Sequence, residues 1–257
     1  MNLQKAERRL QPWPVQVFDL YLLGLSNWRW SWRSAIVVDT ISPLIGMIVL
    51  AVFGRDFGPT SLAYVMTGNV VLSLMFGNSR KMCGHVTSLR MMGGLDYYAT
   101  LPVSKTALIM GISAAFVTLS LPSVTLTILI GALILGVPLQ ISPLVLLVIP
   151  MCAAPLAGIG AYIAFSVRNP ESAGAWELLF MLLLTGLGPI IIPPDRLNPM
   201  FNTLSYLSPA RYAASALRAT LLGPITGQLA IDMAILLSFT ILILAFVVRR
   251  MDWRVTV

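Results

Sequence analysis

Six apolar runs of about 20 residues decide what this chain can become. They cover roughly residues 34–53, 60–77, 106–135, 142–166, 174–193 and 227–248. In hydrocarbon no water is present to bond an exposed backbone, so a segment of this length must satisfy its own N–H and C=O groups as a helix. The sequence therefore predicts an all-α polytopic membrane protein with six transmembrane helices. The runs and their connections use nearly all of the 257 residues. That leaves room for one domain, with a cytoplasmic N-terminal segment 1–33, a bundle 34–248 and a tail 249–257. The N-terminal sequence MNLQKAERRLQPWPVQ lacks an apolar stretch followed by a small-residue cleavage site, so the first span is expected to insert uncleaved.

Charge gives the orientation. Loops alternate between two sides. One side takes Lys5, Arg8, Arg9, Arg29, Arg33, Arg80, Lys81, Arg90, Lys105, Arg168, Arg249, Arg250 and Arg254. The other takes Arg55, Arg196, Arg211 and Arg218, thirteen of the 17 basic residues against four. Lys and Arg accumulate on the cytoplasmic side, so both termini are predicted inside. The net charge of +7 is a topology signal and does not point to nucleic acid.

Before the first span, Val17, Leu20, Tyr21, Gly24, Leu25 and Trp28 recur on one helical face. With Trp13, Trp28, Trp30 and Trp32 as anchors, residues 12–32 read as an amphipathic helix in the headgroups; the other reading is the start of one long, tilted span. Asp39, in the first span, is either an intramembrane functional acid or a carboxylate that snorkels or pairs with Arg33. The connection 78–105 reads as the longest cytoplasmic loop, holding Cys83 and a solvated or headgroup-facing His85. The third span contains Pro122 and is expected to bend or tilt. Glu171 and Glu177 fall near the start of the fifth helix, where its dipole favours negative charge. The connection between spans five and six is not simply polar. Met200, Phe201, Leu204 and Leu207 stripe one side, and Ser208-Pro209 reads as an N-cap followed by proline at the first helical position. It predicts two short amphipathic helices dipping into the outer leaflet or the protein's own crevice, their backbone buried against other helices.

Several chemistries are missing. One histidine, His85, cannot make a two-histidine metal motif, no metal site is expected, and no G-x-S-x-G elbow occurs. No chain of intramembrane acids suggests a proton relay. No G-x-x-x-x-G-K-[ST] loop is present, so the chain does not cradle ATP itself. Energy for transport would have to come from a second polypeptide, and the short half-polar stretch GGLDYYATLPVSK at 93–105 would give that partner something to grip.

Two stretches carry a resemblance to a known family. In the first, Gly93, Gly94, Leu95, Asp96, Tyr97 and Tyr98 lead to Pro102, Val103, Ser104 and Lys105. In the second, Ser208, Pro209 and Tyr212 are followed by Ala216, Leu217 and Arg218. Their order, sidedness and six-span frame resemble the ABC-2 type permeases of bacterial ATP-binding-cassette exporters, the drug-resistance, nodulation-factor and polysaccharide type, over essentially the whole chain. ISPLIGMIVLAVFG in the first span is similar as well. The chain departs from the family pattern at Met91 and Met92, where acidic residues are usual. It departs again at Leu101, where Ser or Thr is common, and at Ser215, where an acid often precedes Ala-Leu-Arg. The last change removes an ion-pair partner for Arg218.

The resemblance implies a permease subunit, not itself an enzyme, in the bacterial cytoplasmic membrane. Two such chains, identical or paralogous, would form the pathway for an amphipathic or lipid-like substrate such as a drug, lipid or glycoconjugate. Each would rest on an ATP-binding-cassette nucleotide-binding subunit; no cofactor is expected on this chain, with ATP and magnesium held by that partner. Gly94, Leu95, Asp96, Tyr97, Tyr98, Leu101 and Pro102 would form the coupling helix, with Tyr97, Tyr98 and Leu101 supplying contact area. Membrane-interface anchoring is the competing role for the tyrosines. Pro209, Tyr212 and Arg218 would belong to the outer gate. A non-transporting assembly factor and an intramembrane lipid-modifying enzyme are the alternatives.

Overall fold

The computed structural model of the protein describes residues 11–28, 32–54, 59–187, 190 and 199–252. Among them are ten α-helices and no strand: α1 (Trp13–Asn27), α2 (Trp32–Gly54), α3 (Pro59–Met91), α4 (Gly94–Thr100), α5 (Lys105–Leu135), α6 (Val145–Ser166), α7 (Ala173–Leu187), α8 (Pro199–Ser205), α9 (Pro209–Leu222) and α10 (Gly227–Arg250). The chain is an all-α membrane protein. Among the described residues four helices are long and apolar enough to cross a membrane, over Trp32–Val52, Lys105–Leu135, Val145–Ser166 and Gly227–Arg250. The other two runs read from the sequence fall on the N-terminal half of α3 and on α7. Trp30 and the basic residues Lys5, Arg8, Arg9, Arg29, Arg55, Arg196 and Arg254 lie outside the described residues.

α6 is the centre of the bundle. Its run of small residues, with Ala153, Ala157, Gly158, Gly160, Ala161 and Ala164 all buried, lets neighbouring backbones come close. Lipid tails are as apolar as leucine, so helices in a membrane associate through such close packing and not through expulsion of water. The tightest approach is to α3, where a Cβ built on Gly160 would lie 2.2 Å from the Ser79 carbonyl oxygen. α2 and α10 sit at the periphery with most of their surface exposed.

α1 buries the face that the sequence marks. Leu20 and Gly24 are buried, Val17, Tyr21, Leu25 and Trp28 are half-buried, and Phe18, Leu22 and Leu23 point away. The inward face packs on α5, with Leu20 and Val17 against Gly111, so the helix is seated on protein as well as available to the interface. α1 ends at Asn27 and α2 starts at Trp32, which makes them two helices and not one long span.

Three local readings change. The connection 78–105 is not mainly a loop, because α3 runs on without a break to Met91. Met82, Cys83 and Val86 continue the buried stripe of Leu74 and Met75 at helical spacing, and this inward face carries the helix out of the apolar run. Cys83 is therefore buried in a helix. His85 stands half-buried, edge-on to Phe116 at 5.6 Å between ring centres, and not in a solvated loop. Asp39 does not turn back to Arg33; it pairs with Lys81 of α3, while Arg33 lies 5.5 Å over the Trp32 ring. Glu177 does fall near the start of α7, as its fifth residue, but it is buried there and its Oε1 has no hydrogen-bond partner.

Candidate functional site

Two regions hold the residues singled out by sequence, one at each end of the bundle. At the first end, Gly93 adopts φ 69°, a left-handed conformation that residues with a Cβ rarely take, and turns the chain from α3 into α4. α4 is a seven-residue helix that ends where Leu101 becomes extended ahead of Pro102. Proline disfavours helical geometry in the residue before it, so the stop is local chemistry.

The side chains of α4 divide cleanly. Leu95 and Tyr98 are buried and join a cluster with Leu20, Met82, Val86, Leu108 and Phe116. Asp96 is exposed, and Tyr97 is 62% exposed. Gly94, Leu101 and Pro102 are half-buried. Tyr98 is thus spent on holding α4 to its own chain and offers little surface to a partner. The outward surface of this end is made by Asp96 and Tyr97 together with the exposed Met91 and Met92. The two tyrosine rings meet nearly edge-on at 5.7 Å, one outside and one inside.

Long-range polar contacts fix this end. Arg90 Nη1 donates to the carbonyls of Ala164 and, at 2.8 Å, Val167, the C-terminal end of α6 where a cation is favoured. Lys105 Nζ donates to the Met251 carbonyl just past α10. The Ser104 backbone N–H donates to Gln16 Oε1 of α1 at 2.8 Å, and Trp13 Nε1 donates to Thr106 Oγ1 at 3.2 Å. The Ser104 hydroxyl caps α5 by accepting from the Ala107 N–H. The ends of α3 and α6, the starts of α1 and α5 and the close of α10 therefore meet around α4. Apart from the local Ser104 cap, none of these tethers is readable from the sequence, since each joins residues far apart in it.

At the opposite end, α8 and α9 form the two short helices expected after the fifth run. Ser208 occupies the N-cap position of α9, but its hydroxyl donates to the Leu184 carbonyl at 3.4 Å and does not cap; Pro209 at the first helical position is buried. Met200 and Leu207 are exposed, while Ala210, Ala213, Ala214, Ala216, Leu217 and Leu221 of α9 are buried against the bundle. Gln140 and Ser142 of the α5–α6 connection donate backbone N–H groups to the Leu221 and Thr220 carbonyls.

Two arginines staple α9 in place. Arg211 Nη1 donates to Asn202 Oδ1 at 2.7 Å, to the Asn202 carbonyl and to Ser205 Oγ, and its guanidinium lies 3.7 Å from the Tyr206 ring centre. Arg218 Nε donates to Thr67 Oγ1 at 3.1 Å, Nη2 donates to the Ile190 carbonyl, and the guanidinium lies 3.9 Å over the Tyr64 ring. A tyrosine face and hydroxyl and carbonyl oxygens thus surround Arg218, in a chain with serine at 215. The Tyr212 hydroxyl donates to the Tyr206 carbonyl at 3.0 Å.

These side chains enclose a polar cavity of about 530 Å³ between α3, α9 and α10. Asp232 also lines it. This acid is buried, accepts from Gln228 Nε2 at 3.0 Å through Oδ1, and has no hydrogen-bond partner for Oδ2. Sequence reading passed over Asp232, although an acid in the apolar run GQLAIDMAILL was the signal that could have found it. Among the described residues no three His, Cys, Asp or Glu side chains gather as metal ligands.

A family model described as ABC-2 type transporter matches residues 20–222, which takes in α4, the C-terminal half of α1 and all of α9. No curated protein matches the chain.

Proposed function

The chain belongs to the ABC-2 type transporter family and is a membrane-embedded permease component of an ATP-binding-cassette transporter; from that premise we propose that it is one of two permease chains of an exporter, moved by ATP hydrolysis on separate nucleotide-binding subunits. The α4 end faces the cytoplasm, as the excess of Lys and Arg at that end supports. The surface of Asp96, Tyr97, Met91 and Met92 seats the nucleotide-binding subunit, with Leu95, Tyr98, Gly94, Leu101 and Pro102 setting the position and angle of the helix. Pro209, Tyr212 and Arg218 belong to the outer gate. The cargo is amphipathic or lipid-like.

The observation that carries this reading is the way α4 is held. A short exposed helix tethered by buried Leu95 and Tyr98 cannot slide alone, so a push on Tyr97 moves the ends of α3, α5 and α6 with it. α3 is 33 residues long, about 50 Å at 1.5 Å per residue. It reaches from Arg90 beside α4 to Tyr64 and Thr67, which hold Arg218. A rigid-body tilt of this rod transmits displacement at α4 to α9, the kind of motion packed helices make without repacking their cores.

The test is co-purification of the full chain with its ATP-binding-cassette partner, followed by ATPase and transport assays in vesicles. Stoichiometric assembly lost with Tyr97→Asp, and transport lost with it, is expected. A fully active complex carrying that substitution, or transport by the permease chain unaided, refutes the proposal.

A further inference from the structure

A second cavity, of about 470 Å³, opens between α2 and α3 near the α4 end. Its mouth carries Arg80, Lys81 and Asp39; its walls carry Val38, Leu72 and Phe76. The Asp39–Lys81 pair sets the depth of this mouth. Lys81 stands just beyond the apolar run of α3, and Asp39 is seven residues into α2, so the pair marks the level where hydrocarbon gives way to headgroups. From there the cleft descends along α3 to Asn69, twelve residues and about 18 Å deeper.

The charges at the mouth do not cancel. Lys81 is paired with Asp39, but exposed Arg80 has no hydrogen bond or ion pair among the described residues. Glu177 of α7 faces it from the buried side, beyond ion-pair distance. Pro43, which also lines the cleft, has no N–H to give the carbonyl four residues back, so α2 is weakened at Asp39. A guanidinium and an ammonium side by side at headgroup depth, above a mainly apolar throat that Ser42, Ser73 and Asn69 also line, match one kind of occupant: an anionic group on an acyl tail.

We propose that the α2–α3 cleft binds the anionic phosphate headgroup of a lipid-like amphiphile, with Arg80 as the main anion contact, Lys81 as the second, and the tail lying against Phe76 and Leu72. Asp39 competes with that anion for Lys81. Under the proposed function this is the cytoplasmic leaflet, so the inference rests on that reading only for its conclusion that the cargo class is an anionic amphiphile. Binding itself requires no partner subunit, and its failure is separable from failure of the coupling reading.

The experiment is native mass spectrometry of the full chain in detergent, titrated with dioleoyl phosphatidylglycerol, dioleoyl phosphatidylcholine or glycerol phosphate. Phosphatidylglycerol should bind in preference to the other two. Arg80→Gln should weaken it about tenfold, as loss of a hydrogen bond to a charged group implies. Asp39→Asn should tighten it by about threefold, because Lys81 is released from a half-buried pair. The opposite signs guard against a misfolded variant, since damage would lower both. Equal affinity for the two lipids, or shifts of the two variants in the same direction, overturns the proposal. Equally tight glycerol phosphate would mark a free-phosphate site, and loss of lipid on dimerisation would give the cleft to a second copy of the chain; either result also overturns it.

Discussion

Replacing Tyr97 and Tyr98 one at a time separates the proposed docking surface from the side chain that anchors α4. Tyr98 is 6% exposed and Tyr97 is 62% exposed, on adjacent positions of the same seven-residue helix. A buried aromatic covers about 200 Å² at about 25 cal/mol per Å², a ceiling near 5 kcal/mol, and truncation of such residues costs about 3–5 kcal/mol. Tyr98→Ala should therefore destabilise the permease by about 3 kcal/mol or more, and lose the partner only because α4 is no longer held. Tyr97→Ala removes one edge-on ring contact, worth about 1 kcal/mol, and should leave the unfolding midpoint nearly unchanged. At a well-packed interface the same residue is worth about 2 kcal/mol, a loss of about 30-fold in affinity for the nucleotide-binding subunit. Thermal unfolding of the purified chain in detergent, beside a binding titration with the partner, reads both quantities. The reasoning fails if Tyr97→Ala binds normally, or if Tyr98→Ala unfolds no earlier than Tyr97→Ala.

Other expectations follow from the same geometry. Gly160→Ala places a methyl 2.2 Å from the Ser79 carbonyl oxygen on a rigid helix, so it should destabilise by about 1–3 kcal/mol; a midpoint within a degree of the parent would show that α3 and α6 lie further apart. Lys81→Met leaves Asp39 without its partner at the edge of hydrocarbon and should cost about 1–3 kcal/mol, discounted for partial exposure, whereas the Asp39→Asn/Lys81→Met pair should recover most of it. Additive losses in that double-mutant cycle would dismiss the ion pair. Arg218→Met should free α9 from Thr67 and Tyr64, leaving partner-stimulated ATP hydrolysis while vesicle transport falls; parallel loss of both activities would count against a link from α3 to α9.

Much of this molecule is written locally. Ser208-Pro209 placed the start of α9 to the residue, since proline at the first helical position gives up only an N–H that has no helical partner. A short helix near Leu95 was legible, but it ends at Thr100, with Leu101 extended and Pro102 beyond it, where the sequence placed both within the helix. The face of α1 was read correctly from its spacing, though not what it rests on. The extension of α3 was hidden because the polar residues after 77 suggested a loop. The pattern that keeps it helical, Met82, Cys83 and Val86 following Leu74 and Met75, was present but overshadowed by the charges around it.

The sequence alone determined that the chain spans a membrane as helices, because apolar runs of this length leave the backbone no other way to satisfy its hydrogen bonds. It also fixed where those helices start and stop wherever Pro, Gly or Ser sets the geometry. Tertiary structure decided which polar group meets which: Asp39 with Lys81 and not Arg33, Arg90 with the end of α6, Arg218 with Thr67 and Tyr64, and Tyr98 facing inward while Tyr97 faces out. Periodicity places a side chain on a face of its own helix but says nothing about the neighbour across from it. A polar group in a low-dielectric bundle takes the partner that packing brings within about 3 Å, and that partner is set by how helices distant in sequence come to lie together.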